Sequence, residues 1–124
     1  MTGPCGANSL YERMGGAANV AATVNDVVDH AASDPRTRRS FEDVNLKRIK
    51  QSLAVLICDL SGGGCKYSED SMRDVHAGLG ITQAEFYSLV QIYRDAMVRH
   101  GIRLRERNEL LALLAPMKRD IVEK

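Results

Sequence analysis

Met72-Arg73-Asp74-Val75-His76-Ala77-Gly78-Leu79-Gly80-Ile81 places an imidazole at the end of an amphipathic turn and follows it with two glycines. Met72 and Val75 supply the apolar side of that turn. Glycine has no Cβ, so the chain beyond His76 can bend sharply and let another group come close. Two readings fit. A histidine in the last turn of a short helix can serve the helix alone, complementing its dipole or donating to a free carbonyl. An imidazole projecting toward the apolar face of another helix is also what an axial haem ligand requires. Spacing leaves both open, and the choice rests on what the rest of the chain builds around this residue.

Upstream, Asn45 is placed to cap a helix in which Leu46, Ile49, Leu53, Leu56, Ile57 and Leu60 fall within about 100° of one another. The triple glycine 62–64 ends it. Before that, Val20, Val24, Val27, Val28 and Ala31 mark one face of a helix that stops near Asp34-Pro35, because the residue before proline is biased away from helical angles. Phe41 lies in the turn-rich stretch that follows. Ser9 with Glu12 opens a short first helix running into Gly15-Gly16. Ser68 to His76 is predicted as a short helix closed by the glycines. Downstream, Thr82 with Glu85 forms a second capping box, behind which Phe86, Leu89, Val90, Tyr93, Ala96 and Met97 keep helical register up to Gly101. The last segment carries Leu104, Leu111, Leu114, Met117 and Ile121 on one side, with Pro116 bending it. No stretch alternates convincingly as a strand, and no Asn-Gly or Asp-Gly hairpin turn occurs. The predicted class is all-α, in one domain over 1–124.

Composition narrows the function. The 124 residues, 44% apolar and 27% charged, suit one soluble globular unit. Lys+Arg 17 against Asp+Glu 16 leaves a net charge of +1, which gives no field to gather nucleic acid or anionic lipid. No apolar run approaches the roughly 18 to 20 residues that cross a bilayer, and no secretory leader is evident, so a cytoplasmic protein is expected. Three cysteines, Cys5, Cys58 and Cys65, without a paired spacing, are read as thiols in a reducing compartment. Six aromatic residues without tryptophan leave the core to aliphatic side chains and methionine. There is no phosphate loop, His-Glu-x-x-His, Cys-x-x-Cys or Gly-x-Ser-x-Gly.

Other candidates have plainer explanations. His30 and His100 sit in polar surroundings and read as surface residues. A zinc site from Cys58, Cys65 and His76 lacks a fourth ligand and matches no known spacing. Cys58 projects about 150° from the stripe of its helix, toward the back face. Met72, Met97 and Met117 read as core fillers. The Arg103–Arg107 charge cluster reads as a solvated helix start.

Taken in order, Leu10-Tyr11-Glu12-Arg13-Met14-Gly15-Gly16, Asp34-Pro35, Phe41, the glycines 62–64, Tyr67, the 72–81 stretch and Leu114-Ala115-Pro116-Met117-Lys118-Arg119-Asp120-Ile121 resemble a truncated haemoglobin of group I. The resemblance spans nearly the whole chain. It implies a two-over-two helical sandwich around haem b, with His76 as the proximal iron ligand, Phe41 packed on the porphyrin, and Met72 and Val75 lining the proximal side. Tyr67 and Arg48 are expected to reach a propionate. The distal pocket would be formed by Val27, Val28, Ile49, Leu53, Ile57 and Tyr93.

The distal side departs from the family. A tyrosine common on the second helix is matched by Val28, after Val27, and positions that often carry glutamine or another polar group are matched by Ile49 and Leu53. A hydrogen bond to bound dioxygen is worth roughly 1.5 to 3 kcal/mol. Its loss is expected to speed O2 release on the order of ten- to a hundredfold, with smaller effects on CO and NO. Two valines in place of an aromatic pair also leave volume to fill. Tyr93, on the inner face of its helix, is expected either to fill that space and turn its hydroxyl toward the ligand, or to bond a backbone carbonyl. None of Val28, Ile49 or Leu53 can ligate iron, so an open sixth coordination position is expected; Ser52 is the nearest polar neighbour. The resulting expectation is a haem protein that binds diatomic gases reversibly, as a monomer or weak homodimer. The alternatives are a haem redox enzyme served by an electron-donor reductase, such as an NO dioxygenase or nitrite reductase, and a haem-free helical interaction module.

Overall fold

The structure, a computed structural model, describes residues 9–67, 76 and 78–123. Among the described residues the bounded α-helices run in chain order as α1 (Leu10–Arg13), α2 (Gly16–Ser33), α3 (Leu46–Leu60), α4 (Gln83–Arg99), α5 (Leu104–Leu114) and α6 (Lys118–Ile121). Short 3₁₀ turns at Arg38–Phe41 and Ala115–Met117 join α2 to α3 and α5 to α6. Among the described residues there is no strand, and no helix is long and apolar enough to cross a membrane.

Local chemistry starts and stops these helices. Ser9 Oγ accepts from Glu12 N at 3.2 Å to open α1. Asn45 Oδ1 accepts from Arg48 N at 3.2 Å to open α3. Thr82 and Glu85 close a reciprocal capping box on α4, each side chain bonded to the other residue's backbone N–H at 3.0 Å. The α2 helix ends at Ser33, with Asp34 already extended in front of Pro35, as the proline bias predicts. Pro116 lies in a 3₁₀ turn between α5 and α6, where the flanking backbone stays right-handed helical. Of the short helix expected over 68–76, only His76 lies among the described residues, and it is helical.

The α2 helix is the spine, packing against α3 on one side and α4 on the other. Val20, Val24, Val27, Val28 and Ala31 are buried along it and meet Ile57 of α3 and Ile92, Tyr93, Ala96 and Met97 of α4 in one hydrophobic cluster. Lys50 pairs with Asp29 at 2.8 Å, tying α3 to α2. Asp26 faces Arg99 and His100 at 3.0 and 3.1 Å, tying α2 to the end of α4. His100 is therefore half-buried in a polar contact, whereas His30 is exposed.

Three expectations are corrected. Cys58 and Cys65 are joined in a disulfide, with Cα atoms 5.5 Å apart. The helical wheel places Cys58 on the back of α3 but cannot show that the glycine turn folds over that face. Gly63 N donates to Cys58 O at 2.7 Å, and a Cβ on Gly63 would stand 2.7 Å from Cys58 Sγ. Cys58 is consequently buried, neither solvent-facing nor available to zinc, and the cysteines no longer argue for a reducing compartment. Cys5 lies outside the described residues.

The second correction concerns the Arg103–Arg107 cluster, which is not wholly solvated. Glu106 is 1% exposed and accepts from Arg13 Nη1 at 2.9 Å, while Arg13 also grips Glu109 at 2.9 and 3.1 Å. A carboxylate leaves water at high cost unless a cation meets it, so this pair docks α1 onto α5. Thirdly, Leu104 is not on the buried side: it is exposed, and Leu110 is completely buried in its place. The face of α5 is centred on Leu110 and Leu114, and at 100° per residue Leu104 lies roughly 100° off that centre.

Candidate functional site

The inner faces of α2, α3 and α4 converge on one region. Val27 and Val28 from α2 and Ile57 from α3 are each 1% exposed, so the pair of valines is closed over by its neighbours rather than left as a void. The stripe of α3 is unevenly covered. Its C-terminal half, Leu56 and Ile57, is buried, whereas Leu46, Ile49 and Leu53 are only half-buried, although all three pack on the edge of the core. Leu89 of α4 and Phe41 of the 3₁₀ turn have the same status. An amphipathic face that packs on a core along half its length and stays half-open along the rest has the character of one wall of an apolar ligand site.

Tyr93 brings a phenol hydroxyl into the buried apolar cluster. It is 5% exposed, and burial alone pushes its phenol above its ordinary titration range, with no charge or hydrogen bond contributing. Among the described residues its hydroxyl makes no hydrogen bond. Buried tyrosines usually find a partner for the O–H.

His76 is half-buried, and its carbonyl accepts from Leu79 N at 3.3 Å as the chain leaves the helical turn. Met72 and Val75, expected on the same side, lie outside the described residues. Tyr67 is half-buried, its backbone N–H donating to Asp59 Oδ2 at 2.9 Å, and burial raises its phenol pKa. Together with Gln51, Ser52, Val55 and Lys66 it lines a shallow depression of about 250 Å³ on the flank of α3. Arg48 is exposed on the first turn of α3 and does not line that depression. Among the described residues there is no cluster of three or more metal-ligating side chains.

A family model for bacterial-like globins matches residues 9–123. The chain belongs to that family. The globin is 26% identical over 113 residues to the group 1 truncated hemoglobin GlbN of Mycolicibacterium paratuberculosis, covering 91% of this chain and 83% of that protein. It is 22% identical over 116 residues to a group 1 truncated hemoglobin of Chlamydomonas moewusii, covering 92% and 68% respectively. In fold it resembles the Fe(III) form of the truncated hemoglobin from Tetrahymena pyriformis, with a TM-score of 0.88 at 19% identity over 94% of this chain and all of that one. It also resembles a truncated hemoglobin from Chlamydomonas reinhardtii, with a TM-score of 0.80 at 21% identity over 93% and 95% of the two chains. The all-α class and the truncated-globin fold of this globin are therefore those expected from its sequence motifs.

The polar contacts that surround the turn after His76 leave no signal in the sequence pattern. Arg39, Glu85 and Glu123 all converge there. Each lies about forty residues from its partners or is charged on a solvent-facing surface, and no periodicity marks such residues.

Proposed function

We propose that this globin binds haem b through His76 and takes up diatomic gases, O2, CO or NO, at the opposite side of the iron. The observation that carries the reading is the half-open apolar wall formed by Leu46, Ile49, Leu53, Leu89 and Phe41 in a globin whose remaining core is closed. A flat apolar ring laid against these side chains would cover surface that is otherwise wet, at roughly 25 cal/mol for each Å² removed from water. Bound haem supplies the iron on which the gas is held. The chain's own residues would supply an imidazole donor on one side and, on the other, the apolar side chains of Val27, Val28, Ile49, Leu53 and Ile57, none of which can ligate iron or hydrogen-bond a ligand.

Tyr93 is the exception in that pocket. Its partnerless hydroxyl, in the same cluster as Val28 and Ile57, is assigned the role of donor to a polar ligand. Tyr93→Phe is expected to speed O2 release about tenfold or more while leaving CO release nearly unchanged; equal O2 rates in the two proteins remove Tyr93 from ligand control.

The test of the main reading is hemin titration of the purified apoprotein. A Soret band saturating at one hemin per chain, and lost or much weakened in His76→Ala, supports it. A protein that takes up no hemin refutes it and favours a haem-free helical module.

A further inference from the structure

The backbone that leaves His76 is held from both sides by charged side chains from distant parts of the chain. Gly78 N and Gly80 N both donate to the carboxylate of Glu123, at 3.0 Å to Oε2 and 2.6 Å to Oε1. Glu123 N in turn donates to Ile81 O at 2.8 Å, so one residue closes three backbone bonds on this turn. On the carbonyl side, Arg39 donates from Nη1 to Leu79 O and from Nη2 to Gly80 O, each at 3.2 Å. The Arg39 guanidinium is itself fixed by a two-point pair with Glu85, Nε to Oε2 at 2.9 Å and Nη2 to Oε1 at 2.6 Å. Glu85 is the capping-box residue of α4, and the hydrogen bond from Arg39 is the main cause of its lowered pKa.

A turn of this composition needs an external brace. Gly78 and Gly80 both have positive φ, 79° and 65°, the region that glycine enters freely and leaves just as freely. Leu79, between them, is 42% exposed, so the turn has little apolar packing to hold it. In their place it has donors and acceptors fixed at opposite edges, which leave the peptide planes between 78 and 81 little freedom to rotate. Arg39 belongs to the same 3₁₀ turn as Phe41, and Glu85 to the first turn of α4. The brace therefore references the His76 segment to both of the elements that border the apolar wall.

We infer that Glu123 and Arg39 are positioning residues for His76: they fix the direction of the imidazole and so the strength and angle of its bond to a metal. The inference rests on the haem reading above. Groups hydrogen-bonded directly to a metal-ligating histidine typically change metal affinity by about ten- to a hundredfold when removed, and a brace that acts one step further out, on the backbone of 78–80, is expected at the lower end of that range. The turn is at the surface, where charged hydrogen bonds contribute little to folding, so the effect should appear in the iron–histidine bond rather than in global stability.

The experiment compares wild type, Glu123→Ala and Glu123→Gln as purified holoproteins, with His76→Ala as reference. Three quantities are read: the rate of hemin transfer to an excess of acceptor apoglobin, the iron–histidine stretching band of the ferrous unliganded protein by resonance Raman, and the thermal midpoint of the apoprotein by circular dichroism. The expectation for Glu123→Ala is hemin loss about tenfold or more faster and a shifted or broadened iron–histidine band, with a near-wild-type apoprotein midpoint. Glu123→Gln keeps one acceptor oxygen and is expected to fall between the two; it decides the matter if Glu123→Ala does not fold. Wild-type hemin loss and an unchanged band in both variants, with haem still lost in His76→Ala, overturn the positioning role alone. An iron–histidine band that survives in His76→Ala overturns the haem-ligand reading and this inference with it.

Discussion

Two regions of this globin are built by opposite means. The α2–α3–α4 core is closed by packing, with Val24, Val28, Ile57, Ala96 and Met97 at or below 1% exposure and Tyr93 buried among them. The turn after His76 is closed by hydrogen bonds, with Leu79 largely exposed and charged groups from residues 39 and 123 on either edge. Packing is non-directional and rewards volume, which suits a wall that must stay apolar. Hydrogen bonds are directional and cheap to remake in water, which suits a segment whose orientation matters more than its stability.

That contrast predicts a graded series of effects. The largest belongs to the packed side: Met97→Ala empties a fully buried site and should destabilise the protein by about 2 to 5 kcal/mol, measured by urea unfolding. A loss below about 1 kcal/mol would mean that the core relaxes like the turn does. Next comes the clip on the back of α3. Reducing Cys58–Cys65 to two thiols releases a short closed loop and is expected to cost about 2 to 3 kcal/mol by chain entropy. Mass analysis with and without a thiol-reactive reagent confirms which state is being unfolded. The smallest effect belongs to the hydrogen-bonded side. Glu85 has a folded pKa below its ordinary value, first through the hydrogen bond from Arg39, so its contribution is present above the ordinary carboxylate range and fades as pH falls through and below it. The difference in unfolding free energy between wild type and Glu85→Gln should therefore shrink between about pH 6 and pH 3. A difference that grows on acidification would contradict the pairing.

The packed region was legible in the sequence because its physics is periodic. Steps of three and four in Val20–Ala31, Leu46–Leu60 and Phe86–Met97 predict the helices, and the Asn45 cap and the Thr82–Glu85 capping box predict where α3 and α4 begin. Even so, Leu104 was placed on the buried side and Leu110 was not, because a stripe of leucines in a short helix fits two faces until a partner selects one. The disulfide, the buried Glu106 and the brace on Gly78 and Gly80 have no period. Each depends on a chain reversal or on contacts between residues far apart, such as the 93 positions between Arg13 and Glu106. The pocket residues carry no period of their own and are expected only from the order of the motifs, with His76 marked by the glycines behind it.

The long reach of the Glu123 contacts has a consequence for how the protein is made. A ribosome delivers Gly78 forty-five residues ahead of Glu123. While that interval is being translated, the turn behind the histidine is braced from Arg39 alone. On the haem reading proposed above, secure capture of the prosthetic group should accordingly be a late event, following synthesis of the residues around position 123.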